Sequence, residues 1–137
     1  MIHAGPESQK VQDFIHELSG FAQTAEDTLK AIEEDPDGNK GRFSVFSERM
    51  LAIRGTAQQL AFPQIAHIAG LGEEISVKAT TAETRAQVRK CVGSLWDALS
   101  TVKYMLENPA QETGDEQQIL IHRLEDTLRR LGGARPS

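Results

Sequence analysis

Apolar residues return every third or fourth position along five separate stretches of this chain, with breakers between them. That period is the helical one, and β-branched residues form no alternating runs, so the chain reads as all-α. The first stretch runs from about Glu7 to Glu34, with Val11, Phe14, Ile15, Leu18, Phe21, Ala22, Ala25, Leu29 and Ile32 in phase. Asp35 to Gly41, with one proline and two glycines, follows as a loop. Phe43, Phe46, Met50, Ile53, Ala57 and Leu60 then make a continuous seam. Pro63 interrupts it, lacking an N–H to donate and biasing Phe62 away from helical geometry, yet suiting the first turn of a new helix. The third stretch turns Ile65, Ala66, Ile68, Ala69, Leu71 and Ile75 inward. A fourth is expected from near Thr81, with the seam Val88, Cys91, Val92, Leu95, Ala98, Leu99, Val102, Met105 and Leu106, and stops at Asn108–Pro109. After a linker from Ala110 to Asp115, a fifth presents Ile121, Leu124, Leu128 and Leu131.

Short connections between long amphipathic helices favour an antiparallel up-down four-helix bundle, here with one accessory helix. At 137 residues the chain has room for a single domain over 1–137, with 1–6 and 132–137 expected as flexible tails. A formal charge of −5 argues against nucleic acid as the main partner, because phosphate neutralisation needs a basic surface. No apolar run approaches the length of a membrane span, and the first residues lack the pattern of a secretory signal. One cysteine, Cys91, rules out an internal disulfide and a multi-cysteine metal site, and it reads as a small core residue. A cytoplasmic protein is the expectation.

One helical face carries the informative residues. Ser47, Leu51, Arg54 and Gln58 are spaced by four, three and four, so they share a stripe one step round from the Phe46–Met50–Ile53–Ala57 seam. Three of the four are polar. Leu51 is a lone large apolar group among them, either packed by its own chain or exposed for a partner, and the sequence leaves both open. Gly55 sits in the helix interior, where glycine costs about 1 kcal/mol relative to alanine. It is tolerable there if something must approach the backbone.

The stretch from Leu51 to Glu74 resembles the signature of histidine-containing phosphotransfer (HPt) domains. That signature reads histidine, any residue, leucine, lysine, glycine, serine, alanine, two residues, leucine, glycine, then two helical turns ending in an acid. Ile53, Gly55, Thr56, Ala57, Leu60 and Glu73 match it in kind, with Ala61 at the last glycine. Leu51 stands where the phosphorylated histidine belongs. The resemblance implies that Arg54 takes the place of the basic residue that offsets phosphoryl charge or pairs with an acidic partner. It implies that Gly55 leaves room beside the phosphoacceptor, and that Glu73 is the former histidine-orienting acid, now without an imidazole. Gly70 falls where chemotaxis-type members often hold a second histidine. A hydrocarbon side chain has no nucleophile, so no phosphoryl transfer is expected at Leu51.

The expectation that follows is a non-catalytic HPt-like domain of two-component signalling, with no cofactor and no metal. Its partner would be a response-regulator receiver domain or a histidine kinase module. Docking would use Ser47, Leu51, Arg54, Gly55, Gln58, Gly70 and Glu74. Glu73 is a candidate for a structural hydrogen bond, with Arg54 as a donor within reach. Two alternatives remain: an active phosphocarrier using another acceptor such as His67, or a structural or oligomerisation module. His67 lies near the motif but reads as an exposed, ordinary residue; His16 and His122 lie within helices without metal-type spacing, and His3 falls in the tail. Trp96 and Tyr104 read as packing or partner contacts.

Overall fold

A computed structural model describes residues 6–35, 41–108 and 117–132, the side chains of 6–8 and 132 excepted. Five α-helices are present: α1 Pro6–Glu34, α2 Arg42–Gln59, α3 Pro63–Ala79, α4 Arg85–Glu107 and α5 Gln118–Gly132. No strand occurs among the described residues. Of the expected tails 1–6 and 132–137, Pro6 and Gly132 belong to α1 and α5, and the other residues lie outside the described ones. His3, most of the loop after Asp35, and Pro109 with the linker that follows lie outside the described residues.

The contacting pairs run α1 with α2, α2 with α3, α3 with α4 and α4 with α1, while α5 packs on α3 and α4. The seams read from the sequence supply one continuous cluster of buried side chains. Leu18, Leu29, Ile32, Phe43, Phe46, Met50, Ile53, Ile65, Ile68, Ile75, Leu95 and Leu99 are all essentially inaccessible. Burying side chains of this size is the main favourable term in folding, at roughly 1.5–3 kcal/mol each. The ends of the apolar stripes are wetter, as Val11 is exposed and Leu128 and Leu131 are half-buried.

The α2–α3 connection explains its own residues. Phe62 N–H donates to the Ala57 carbonyl at 2.9 Å and Ala61 N–H to the Gln58 carbonyl at 3.2 Å, the paired bonds of a Schellman closure. That closure needs a left-handed residue, and Ala61 has φ 60°. Glycine usually fills this position because a Cβ there is strained. Ala61 therefore carries a local conformational cost. Phe62 then leaves helical geometry (φ −106°, ψ 76°) and Pro63 opens α3.

The start of α4 is a correction. Thr81 does not open the helix; its hydroxyl donates to the Lys78 carbonyl at 3.0 Å, and the Thr80 hydroxyl donates to the Val77 carbonyl, so both close α3. Thr84 is the cap. Its extended backbone lets the hydroxyl accept from Gln87 N–H at 3.1 Å while Gln87 Oε1 accepts from Thr84 N–H, a capping box.

Candidate functional site

Two close approaches of α2 side chains to α3 glycines give the register of the two helices. A Cβ on Gly72 would come 2.7 Å from Met50 Cε, so the bare backbone there gives the end of the methionine side chain its place. A Cβ on Gly70 would sit 3.3 Å from Arg54 Cδ and 3.7 Å from its Nη1. Residues rising along α2 thus meet residues falling along α3. This antiparallel register sets Met50 against Gly72 and Arg54 against Gly70. Gly72 and Ser76, both buried, extend the core seam of α3 beyond its apolar residues; the Ser76 hydroxyl is satisfied by the Gly72 carbonyl at 2.7 Å.

On the outer side of that contact lies an open groove of about 420 Å³. Arg54 and Gln58 line it from α2, Gly70 and Glu74 from α3. Four of the seven residues read as a docking set are therefore brought together. Ser47, Leu51 and Gly55 lie outside the groove lining, on the same helix. Leu51 is 48% exposed: of the two alternatives left open by the sequence, packing by the described residues does not occur. The Ser47 hydroxyl is turned back onto the Ser44 carbonyl at 2.8 Å. Gly55 is exposed, with no atom within 4 Å of the position a Cβ would take. Nothing within the described chain uses the space it leaves.

The expected contact between Arg54 and Glu73 is not made. Arg54 lies instead over Gly70, and among the described residues no side-chain hydrogen bond or ion pair joins Arg54 to Glu73 or Glu74. Gly70 is the shelf on which the arginine stem rests, leaving the guanidinium at the groove.

Sequence reasoning missed several members of this surface. Pro63, Ala66, His67 and Leu71 close the groove at its α3 side. Val77 is 49% exposed and continues the stripe Gly70–Glu74–Val77 at spacings of four and three, a signal the sequence did contain. His67 is exposed as read, but it is also a groove residue, and its Nε2 lies 3.6 Å from Glu125 Oε2 of α5. Contact between distant helices such as these has no sequence signature.

Elsewhere, Trp96 is half-buried against the core and Tyr104 is exposed. A larger cavity of about 660 Å³ opens between the end of α1 and α4, over Val88, Val92 and Trp96. Its rim mixes acids such as Glu33 with Arg89 and brings no histidine, cysteine or hydroxyl group to the opening. Size alone does not make it the site; the smaller groove gathers Arg54, Gln58, Gly70 and Glu74, the residues the sequence singled out. On the α1–α4 side, Glu26 pairs with Lys103 and, at 3.2 Å, with Lys30. Those ammonium groups, Lys103 first, hold its carboxyl below the usual carboxylate range. Burial pushes the Cys91 thiol up to about 11. No group of three histidine, cysteine or acidic side chains arranged to hold a metal occurs among the described residues, and no helix there is long and apolar enough to cross a membrane.

No family model matches the sequence, and no curated protein and no solved structure matches it at a significant level.

Proposed function

We propose that this chain is a degenerate HPt-like domain that binds a receiver domain or a histidine kinase module in the cytoplasm without carrying phosphate at the usual position. Its core on this reading is an antiparallel up-down bundle of α1 to α4, with α5 as the accessory helix. The ring of contacts among α1 to α4, with α5 outside on α3 and α4, supports it. The observation that carries the functional reading is the exposure of Leu51 beside a cation-bearing groove. A leucine half in water, next to a helical glycine with open space beside it, has no role in its own core. Such a knob gains by desolvation in a partner's pocket, and Arg54 supplies a charged anchor next to it. With no nucleophile at Leu51, a bound receiver keeps its acyl phosphate, and the domain acts by occupancy.

The test is phosphoryl transfer. Phosphorylated receivers and kinases of the native cell, incubated with the wild-type chain, are expected to leave it unlabelled while still binding it. Label that is alkali-stable and acid-labile would mark a phosphohistidine and overturn the inert reading. One observation favours a second reading, in which His67 accepts the phosphoryl group: it lines the same groove with a carboxylate, Glu125, beside its Nε2. In that case the label vanishes in His67→Ala and remains in Leu51→Ala.

A further inference from the structure

The α2–α3 face carries opposite charges on its two walls, and neither is paired with another described residue. Arg54 stands on α2 and Glu74 on α3, both lining the groove, and no ion pair joins them to each other or to another described residue. Two half-exposed apolar side chains share the same pair of helices, Leu51 on α2 and Val77 on α3. The backbone is bare at Gly55, where nothing lies within 4 Å of a Cβ position.

An isologous dimer needs a surface that complements itself: if one residue meets a second across the axis, the second must meet the first. This face meets that condition. We propose that two copies of the chain pair through it about a twofold axis, so that Arg54 of each copy meets Glu74 of the other and each Leu51 enters the other's groove. The apolar floor at Ala66 and Leu71 gives the leucine its pocket. Equal and opposite charges on one neutral patch fit a second copy better than a strongly acidic or basic partner, which would leave one of the two charges opposed or unpaired. The proposal rests on the reading of this face as the docking surface and adds a regulation to it: the pair hides the groove, and a receiver must compete with self-association.

Sedimentation equilibrium of the full 137-residue chain alone, over a wide concentration range, tests this without any receiver present. The wild type is expected to form a dimer and no larger species, since a twofold contact closes on itself. Arg54→Glu and Glu74→Arg each place like charges at both symmetric contacts, so each alone is expected to weaken the dimer by about tenfold or more. Mixing the two variants restores opposite charges at both contacts, and the mixed dimer is expected to recover near wild-type affinity. Leu51→Asp is expected to abolish pairing. Far-UV circular dichroism checks that each variant stays helical; if Leu51→Asp does not, the mixing experiment decides alone, with Arg54→Gln and Glu74→Gln as milder forms. A chain that stays monomeric throughout, a dimer indifferent to the charge reversals, or open polymers would each overturn the proposal. A dimer that binds no receiver upholds it while removing the functional reading, and a monomer that binds receivers does the reverse.

Discussion

Arg54 lies across Gly70, its Cδ 3.3 Å from where a Cβ would stand, so the glycine of α3 fixes the path of the arginine of α2. Helix propensity and docking therefore pull in opposite directions at this position. Gly70→Ala gains up to about 1 kcal/mol of helix propensity. Arg54 has only to give by a few tenths of an ångström, and its guanidinium is tied to no other described residue. The variant is expected to be as stable as the wild type or slightly more so in denaturant unfolding, yet to bind receivers more weakly because Arg54 is displaced. Binding equal to wild type would remove Arg54's path from the account.

Gly55 gives the parallel case without a neighbour. A methyl group added there meets nothing within 4 Å, so Gly55→Ala is expected to stabilise the chain by about 1 kcal/mol. If the open space serves a partner's approach, the same substitution lowers partner affinity while the unfolding midpoint rises. A midpoint that falls would mean that the described contacts at Gly55 are incomplete.

Ala61 holds φ 60° at the Schellman closure, a conformation that costs an L-residue roughly 1–2 kcal/mol. Glycine removes that strain but adds freedom to the unfolded chain, which takes back about half of the gain. Ala61→Gly is expected to raise stability by about 0.5–1 kcal/mol with an unchanged denaturant slope, read from equilibrium urea unfolding.

These three positions show where the sequence is legible. The seams Phe46–Met50–Ile53–Ala57 and Leu95–Leu99–Val102 announce their burial because an amphipathic helix repeats its apolar face in sequence. Thr84 and Gln87 carry the spacing of a capping box, but Thr80 and Thr81 lie four and three residues earlier and look equally suited to capping. Only their hydrogen bonds to the Val77 and Lys78 carbonyls assign those two hydroxyls to the end of α3. The stripe with Leu51, Arg54 and Gln58 is legible from one helix alone. That Gly70 carries Arg54, that Ala61 is left-handed and that His67 meets Glu125 depend on neighbours brought together by folding, and no spacing records them.

Glu26 makes the chain's response to acid predictable in direction. Its carboxyl, paired with Lys103 and Lys30, has a folded value lowered from 4.5, so this contribution to stability is present above 4.5 and is lost as pH falls through the lowered value. Lys103 and Lys30 are partly exposed, so the contribution is expected to stay below about 1 kcal/mol. Glu26→Gln is expected to lose that amount at neutral pH and to flatten the stability profile below 4.5. A profile that keeps the wild-type slope would assign the acid dependence to other carboxylates.

Cys91 is buried in α4 with its thiol raised to about 11. The thiolate, the reactive form, is therefore scarce at pH 8 and shielded by the core. Labelling of the native chain with an alkylating reagent is expected to be far slower than labelling of the urea-unfolded chain. Its rate should follow the stability changes of the glycine variants, since reaction requires opening.

The central claim is that the face around Leu51 binds a receiver without accepting its phosphate. Titration calorimetry of the wild-type chain and of Leu51→Asp against the receiver domains of the native cell tests it most directly. The account predicts saturable one-to-one binding of at least one receiver by the wild type, and its loss in Leu51→Asp with the helical spectrum intact. Binding of no receiver, or equal binding by both chains, would contradict it.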